Sequence, residues 1–170
     1  MRAEQARLMA AYNRWMNQRL YELCATIPEQ ERKRDRKAFF RSIHGTLNHL
    51  LLGDKIWLGR FTGEPFAVKS LDQELYADFG ELRTAREATD ARIDTWAAGL
   101  SDELLAGELH YTSIVNPAPW SCALWVAVTH FFNHQTHHRG QLTTLLSQLD
   151  LDCGVTDLLW LPGLLRESTA

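Results

Sequence analysis

Four histidines fall within nine consecutive positions of the segment THFFNHQTHHRGQL, residues 129–142. Imidazole nitrogens bind divalent metal ions and exchange protons near neutral pH, so the chemistry of this cluster depends on which rings lie together. His134 and His138 are four positions apart, which stacks two side chains one turn apart on the same face of a helix. The pair therefore offers two ligands to a single ion.

Both rings are predicted to point into the protein interior. Apolar residues recur at helical spacing along this segment, and the stripe places His138 at its centre and His134 beside it. The stripe consists of Leu124, Val128, Phe131, Leu142, Leu145 and Leu149. A buried polar group without a hydrogen-bond partner costs roughly 1–3 kcal/mol, so the nitrogens of two inward imidazoles need a binding partner. A divalent metal ion would be such a partner, and it needs a third ligand from another helix.

The segment SIHGTLNHLLLGD, residues 42–54, supplies His44 and His49 as candidates for that third ligand. His49 shares a helix face with small residues, which leave space for an ion or ligand beside the ring, and His44 lacks this setting. The small residues are Ser42, Gly45, Thr46 and Gly53. A single inward histidine is usually a hydrogen-bonded core residue, but three of them, two at ligand spacing, favour a metal site.

Other chemistries of helical bundles require motifs that this chain lacks. A ferritin-like dimetal centre needs paired Glu-x-x-His motifs, and a zinc protease of the HExxH type needs Glu where Gln135 stands. No G-x-S-x-G turn is present to organise a serine nucleophile. Haem ligation is disfavoured because its axial ligands must face each other from opposite sides.

Four long amphipathic helices must position these residues. Their predicted extents are about 4–26, from Phe39 to the turn TGEP at 62–65, from Leu75 to Leu100, and from a cap at Ser121 to the sequence Asp152-Cys153-Gly154. The stretch 109–119 carries β-branched residues and then two prolines, so we expect it to be extended. The predicted fold class is all-α, a four-helix bundle with a long connection before the last long helix.

Composition narrows the class of protein. The 170 residues are 45% hydrophobic, which fits one domain spanning 1–170, and the net charge of −3 gives no general attraction to nucleic acid. The basic run between Arg32 and Lys37 is expected to be a solvated helix face. No secretory leader or stretch of ~20 apolar residues is apparent, so we expect a cytoplasmic protein that does not span a membrane.

Two further groups of residues are interpreted structurally. The three cysteines are widely spaced and are expected to be core residues: Cys24, Cys122 and Cys153. Core packing is favoured over a pocket lining for four tryptophans: Trp15, Trp57, Trp96 and Trp125. The apolar segment 155–170 is expected to pack on the bundle or on a second subunit.

Three segments resemble the DinB/YfiT-like family of bacterial metal-dependent four-helix proteins, which is unrelated to the DNA polymerase that shares the DinB name. They are YNRWMNQRLYEL (12–23), FFRSIHGTLNHLLLGDKIWLGRF (39–61) and NHQTHHRGQLTTLL (133–146). In that family, one histidine of the second helix and two histidines four residues apart on a later helix hold one divalent ion. The resemblance places the ligands at His49, His134 and His138, in agreement with the helical spacing, and implies that His137 is not a ligand.

The resemblance also implies candidates for orienting the ligand rings, although surface or packing roles are equally open for each. They are Asn48, Asp54, Asn133, His137, Arg139 and Gln141. No catalytic acid or base is assigned.

Three neutral ligands leave an ion with its full charge and an open position, as in catalytic sites. Zinc or nickel is the expected ion, with iron or manganese as alternatives. The resemblance implies a homodimer and a metal-dependent transferase that acts on a small-molecule substrate with a low-molecular-weight thiol. A metal-dependent hydrolase and a non-catalytic metal-binding stress-response protein are the alternatives.

Overall fold

The computed structural model describes residues 1–114 and 118–165 and shows a bundle of four long helices. The long helices are α1 (Ala3–Ala25), α3 (Ile43–Thr62), α4 (Phe79–Ala98) and α6 (Leu124–Ser147), and the short ones are α2 (Glu29–Lys33) and α5 (Asp102–Leu105). A hairpin of β1 (Glu108–Thr112) and β2 (Pro119–Ala123) precedes α6, and a 3₁₀ turn covers Leu158–Trp160. The predicted all-α bundle is confirmed.

Helix ends follow the local chemistry of the sequence. Ser42 caps α3 by accepting a hydrogen bond from the backbone N–H of Gly45, and Gly63 ends the helix in the left-handed conformation. Asp78 caps α4 in the same way through the N–H of Glu81. The predicted starts of these two helices, Phe39 and Leu75, were therefore about four residues too early.

The predicted cap of the last helix was wrong. Ser121 lies in β2, opposite His110 of β1, and α6 begins only at Leu124 after Ala123. No side chain caps α6; the backbone N–H of Leu124 donates to the Gly107 carbonyl at 2.8 Å instead. Of the stretch 109–119 that was predicted to be extended, residues 109–112 and 119 lie in the two strands, and residues 115–117 lie outside the described part.

The end of α6 and the basic run also differ from prediction. The last helix ends at Ser147, several residues before Asp152. The basic run leaves its helix at Lys33. Arg36 then pairs with Glu31 at 2.9 Å and only partly faces solvent, so the run is not one solvated helix face.

The long helices surround two apolar clusters, with α1 against α4 and α6, and α3 against α6 and α4. Helices α3 and α6 run antiparallel, because His49 contacts His138 near one end and Trp57 contacts His130 near the other. The segment after α6 packs on α1 of the same chain, where the Tyr12 hydroxyl donates to the Thr156 carbonyl at 2.5 Å. Residues 166–170 of the predicted apolar tail lie outside the described part.

The cysteine and tryptophan expectations are met in part. All three cysteines are free, but only Cys24 is fully buried. Trp15, Trp57 and Trp96 pack against the apolar clusters as expected, and Trp57 also lines a cavity. Trp125 is 45% exposed. Within the described ranges, no helix has the length and apolar character needed to cross a membrane.

Candidate metal centre

His49 of α3 and the pair His134 and His138 of α6 converge on one point between the two helices. The Nε2 atom of His138 lies 3.2 Å from that of His49 and 3.1 Å from that of His134. One nitrogen from each ring falls within 4.8 Å of the others. The structure thus brings together the three histidines that the sequence singles out.

The hydrogen bonds on the far side of two rings fix which nitrogen is left for a ligand. The Nδ1–H of His49 donates to the Leu71 carbonyl at 2.9 Å, and the Nδ1–H of His138 donates to Oε1 of Gln141 at 2.8 Å. A neutral imidazole carries one proton, so both Nε2 atoms present lone pairs to each other. Facing lone pairs at this distance repel unless a cation lies between them.

The donor set fits a divalent ion. Tetrahedral ligands at about 2.0–2.1 Å from zinc would have their nitrogens roughly 3.3–3.4 Å apart, close to the two separations involving His138. The outer hydrogen bonds are those that metal-binding histidines ordinarily make to carbonyl or side-chain oxygens. The cluster is therefore compatible with a metal ion.

The three rings are neutral at physiological pH. Burial, reinforced by His138, lowers the pKa of His49 to about 4, although the Leu71 carbonyl opposes this shift. Burial and the neighbouring rings, His138 first, lower the pKa of His134 to about 3. Burial also lowers the pKa of His138, against the opposing effect of Gln141. Because metal ligands must be deprotonated, these shifts prepare the nitrogens for a cation.

Gly53 allows α3 to approach His134. A Cβ atom at Gly53 would lie 2.8 Å from Cε1 of His134, inside van der Waals contact. Gly53 also lines a cavity beside His49, so part of the lane of small residues borders open space as expected. A Cβ at Gly45 would likewise collide with the Phe40 carbonyl oxygen. The absence of side chains at Gly45 and Gly53 thus allows the Phe40 carbonyl and the His134 ring to lie close to α3.

Of the residues expected to orient the ligands, Gln141 and Asn48 do so. Gln141 accepts from His138 and donates through Nε2 to His137 at 3.2 Å. Asn48 accepts from the backbone N–H groups of Leu75 and Tyr76 at 2.8 and 3.0 Å. It thereby anchors the loop that presents the Leu71 carbonyl to His49. Asn133 is exposed.

Asp54 and Arg139 belong instead to a buried polar network behind the centre. Arg86 pairs with Asp54 at 2.5 Å and with Asp90 at 2.9 Å, and Gln135 donates to Asp54 at 2.7 Å. The network reaches all four long helices through Asn13, Asn17, Asp54, Arg86, Asp90, Gln135 and Arg139. It fixes the helices that carry the histidines.

The other histidines have different surroundings. His44 is buried and its Nε2 contacts the Tyr76 carbonyl at 2.8 Å, so it has a structural role. His137 is exposed and lies next to His138 without joining the cluster. His130 is exposed and packs against Trp57 with ring centroids 4.9 Å apart.

Phe40 was missed by sequence reasoning because it lies in a turn and not on a helix. Its ring stacks on His49 with centroids 3.7 Å apart and meets His138 edge-on at 5.3 Å. It covers one side of the cluster, while Phe39 beside it is 83% exposed. No periodic pattern could have placed this ring.

Two cavities give access to the centre. The Phe39 cleft, of about 570 Å³, is lined by Phe39, Phe40, Leu71 and Asp72 together with the three clustered histidines. The Arg60 cavity, of about 270 Å³, lies between His49 and His134 at one end and Trp57 and Arg60 at the other. The cluster can therefore be reached from two sides.

A four-helix bundle with three convergent imidazoles defines a class of helical protein with a metal-compatible centre. A model of the DinB family matches residues 1–164, and the chain belongs to that family. It is 26% identical over 152 residues to Protein DinB of Bacillus subtilis (strain 168), covering 86% of this chain and 87% of that protein. The crystal structure of a DinB-like protein from Bacillus cereus ATCC 10987 has the same fold, with a TM-score of 0.57 at 15% identity, over 82% of this chain and 89% of that one.

Proposed function

We propose that this protein binds one divalent metal ion through Nε2 of His49, His134 and His138 and uses it as a metal-dependent enzyme. The observation that carries the proposal is that the Nε2 atoms of His49 and His138 lie 3.2 Å apart while each ring holds its proton on Nδ1. Zinc or nickel is the proposed ion, because imidazole nitrogens suit both. Iron and manganese are the alternatives.

A bound ion would act as a Lewis acid that lowers the pKa of a thiol or water at its open position. The residues of the chain provide the rest of the site. His49 and His138 are held by Leu71 and Gln141, so the ligand nitrogens are positioned before a ligand arrives. Phe40 excludes water from one side, and the Phe39 cleft admits a second reactant.

The proposed reaction is transfer of a low-molecular-weight thiol to an electrophile. The sulfur forms a bond to the electrophilic carbon, the leaving group departs with the bonding electrons, and the thiol proton goes to solvent. This reaction is the one that the resemblance to the DinB/YfiT-like family implies, and the family match over residues 1–164 is compatible with it. The same centre could attack a substrate with water, and the assay below separates the two outcomes.

Metal binding is tested by elemental analysis of protein purified without a polyhistidine tag. Wild type should retain about one divalent ion per chain, and the His49→Ala/His138→Ala double variant should retain little, because two of three ligands are lost. His110→Ala is the matched control, since its ring is exposed on β1. Equal metal content in all three proteins would refute the proposed ligand set.

Catalysis is tested by following consumption of a thiol with a panel of electrophiles. We expect turnover by the metal-loaded wild type and a loss of at least about 100-fold in His134→Ala. Hydrolysis of the same electrophiles without thiol would identify the protein as a hydrolase. Stabilisation by metal with no turnover of any kind would identify a non-catalytic metal-binding protein.

A further inference from the structure

Arg60 lies on α3 two turns beyond Gly53, and its side chain lines the Arg60 cavity. Its Cζ atom is 4.5 Å from the ring centroid of Trp57 and 4.5 Å from that of Tyr111. The two centroids are 5.6 Å apart, so the rings cover adjacent sides of the guanidinium group and leave another part of it facing the cavity. Cation–π contacts of this kind hold a guanidinium in place without neutralising its charge.

This cation has no counter-ion in residues 1–114 and 118–165. The ion pairs there engage Arg14, Arg34, Arg36, Arg41, Arg83, Arg86 and Arg92, but not Arg60. The group is only partly exposed, and burial lowers its pKa. An arginine nonetheless keeps its charge in proteins, so the cavity holds an uncompensated positive charge.

The other cavity walls are apolar or neutral. Leu52, Ile56 and Ile114 line it, and no described carboxylate does. His130 also lines the cavity, and its ring packs on that of Trp57. A site with apolar walls and one cation selects a ligand that has an apolar body and one anionic group.

The cavity also reaches the candidate metal centre. His49 and His134 line the end opposite Arg60, so a ligand lying along α3 meets both. The volume of about 270 Å³ lies below the usual range for drug-sized ligands and suits a small molecule.

We propose that Arg60 binds the carboxylate of a small amphipathic ligand whose other end is directed toward His49 and His134. The planar guanidinium matches the two oxygens of a carboxylate, and Trp57 and Tyr111 hold it in position. The direction of the ligand rests on the proposed function, whereas the carboxylate site itself does not. Arg60 is thus assigned as the residue that determines substrate specificity.

The carboxylate site is tested on metal-free protein by calorimetric titration with hexanoate and with hexanamide, its uncharged analogue. Wild type should bind hexanoate about 10–100-fold more tightly than hexanamide, since a charge-assisted hydrogen bond is lost in the amide. Arg60→Gln should abolish this preference, and Arg60→Lys should keep part of it. Arg92→Gln is the control, because Arg92 pairs with Glu64 at the surface.

Equal affinity for the two probes in wild type would overturn the proposal, as would an unchanged preference in Arg60→Gln or failure of hexanoate to bind in the millimolar range. Thermal unfolding checks that each variant is folded. Metal titration of Arg60→Gln should give the wild-type affinity. Failure of wild type to bind metal would refute the proposed function and leave the carboxylate result standing.

The direction of the ligand is tested with ω-mercaptohexanoate on zinc-loaded protein. Its thiol should make it bind at least about 10-fold more tightly than hexanoate, and His134→Ala should remove the gain. If both ends bind together, Arg60→Gln should weaken binding of ω-mercaptohexanoate as much as it weakens binding of hexanoate. An affinity for ω-mercaptohexanoate that is the same in Arg60→Gln as in wild type would show that the thiol and carboxylate sites are not occupied together. That result would overturn the proposed orientation.

Discussion

Gly53 and His134 are in contact across the interface of α3 and α6, with no room for a side chain between them. Replacement of Gly53 by alanine should displace the imidazole ring from the cluster. We expect metal affinity to fall about 10–100-fold, the usual effect of disturbing a ligand's support. The measurement is a competitive metal titration against a chromogenic chelator.

The matched control for this substitution is Gly140→Ala in α6, where an added Cβ meets no atom within 4 Å. Both changes should raise helix propensity by about 1 kcal/mol, but only Gly53→Ala should weaken metal binding. Equal metal affinity in the two variants would show that the contact with His134 does not position a ligand.

Gln141 should govern the affinity of the centre through His138. Gln141→Leu removes the oxygen that accepts from Nδ1–H of His138, so that proton can move to the nitrogen needed for the ion. We expect a loss of about 10–100-fold in metal affinity. Gln141→Glu keeps an acceptor and should bind metal at least as tightly as wild type. A leucine variant with wild-type affinity would contradict the assigned role.

The metal-free protein should lose stability as the medium becomes acidic. The pKa of His49 is about 4 and that of His134 about 3 in the folded chain, against about 6.5 when unfolded. Between these values the unfolded chain binds more protons, so the free energy of unfolding falls as pH decreases from about 6.5 toward 4. Above that window, these two groups contribute no pH dependence.

Urea denaturation across this pH range measures the effect. The His49→Ala/His134→Ala variant should show a shallower decline, because two of the histidines whose pKa is depressed are gone. An identical slope in the variant and wild type would mean that these rings titrate normally in the folded protein.

Asp54→Ala should destabilise the fold more than any surface substitution. It removes one of the two carboxylate partners of the Arg86 guanidinium, which is 2% exposed, and leaves only Asp90 at 2.9 Å. Breaking a buried ion pair on one side costs about 3–5 kcal/mol, which chemical denaturation would measure directly. Asp35→Ala, which removes exposed pairs with Lys37 and Arg41 and an exposed hydrogen bond from the backbone N–H of Lys37, should have a much smaller effect. Similar losses in both variants would refute the structural role of the network.

Helical periodicity was sufficient to predict the bundle and the direction of the His134 and His138 rings, because these depend on spacing within one helix. The proximity of His49 followed from helix packing and from the family resemblance. Contacts made by irregular segments were not predictable. Phe40 reaches His49 from a turn, and Leu71 accepts from it out of a loop, so neither has a periodic signal.

The buried network was missed although a signal was present. Arg86 and Asp90 fall on the same face of α4 as Leu82 and Ile93, where charged residues are unexpected. Two charges four positions apart on an apolar stripe predict an internal ion pair. The start of α6 had no such signal, since Ser121 is equally suitable as a helix cap and as a strand residue.

Gln135 and Arg139 each directly follow one of the α6 histidines, and both reach into the polar network that joins the four long helices. A shift of α6 by one residue would turn it by about 100° and withdraw these two side chains from Asp54 and Asn13. The position of α6 against the other helices is thus set by different residues from those that would bind the ion. The ligand histidines could therefore be replaced, for instance to accommodate a different ion, without disturbing the packing of the bundle.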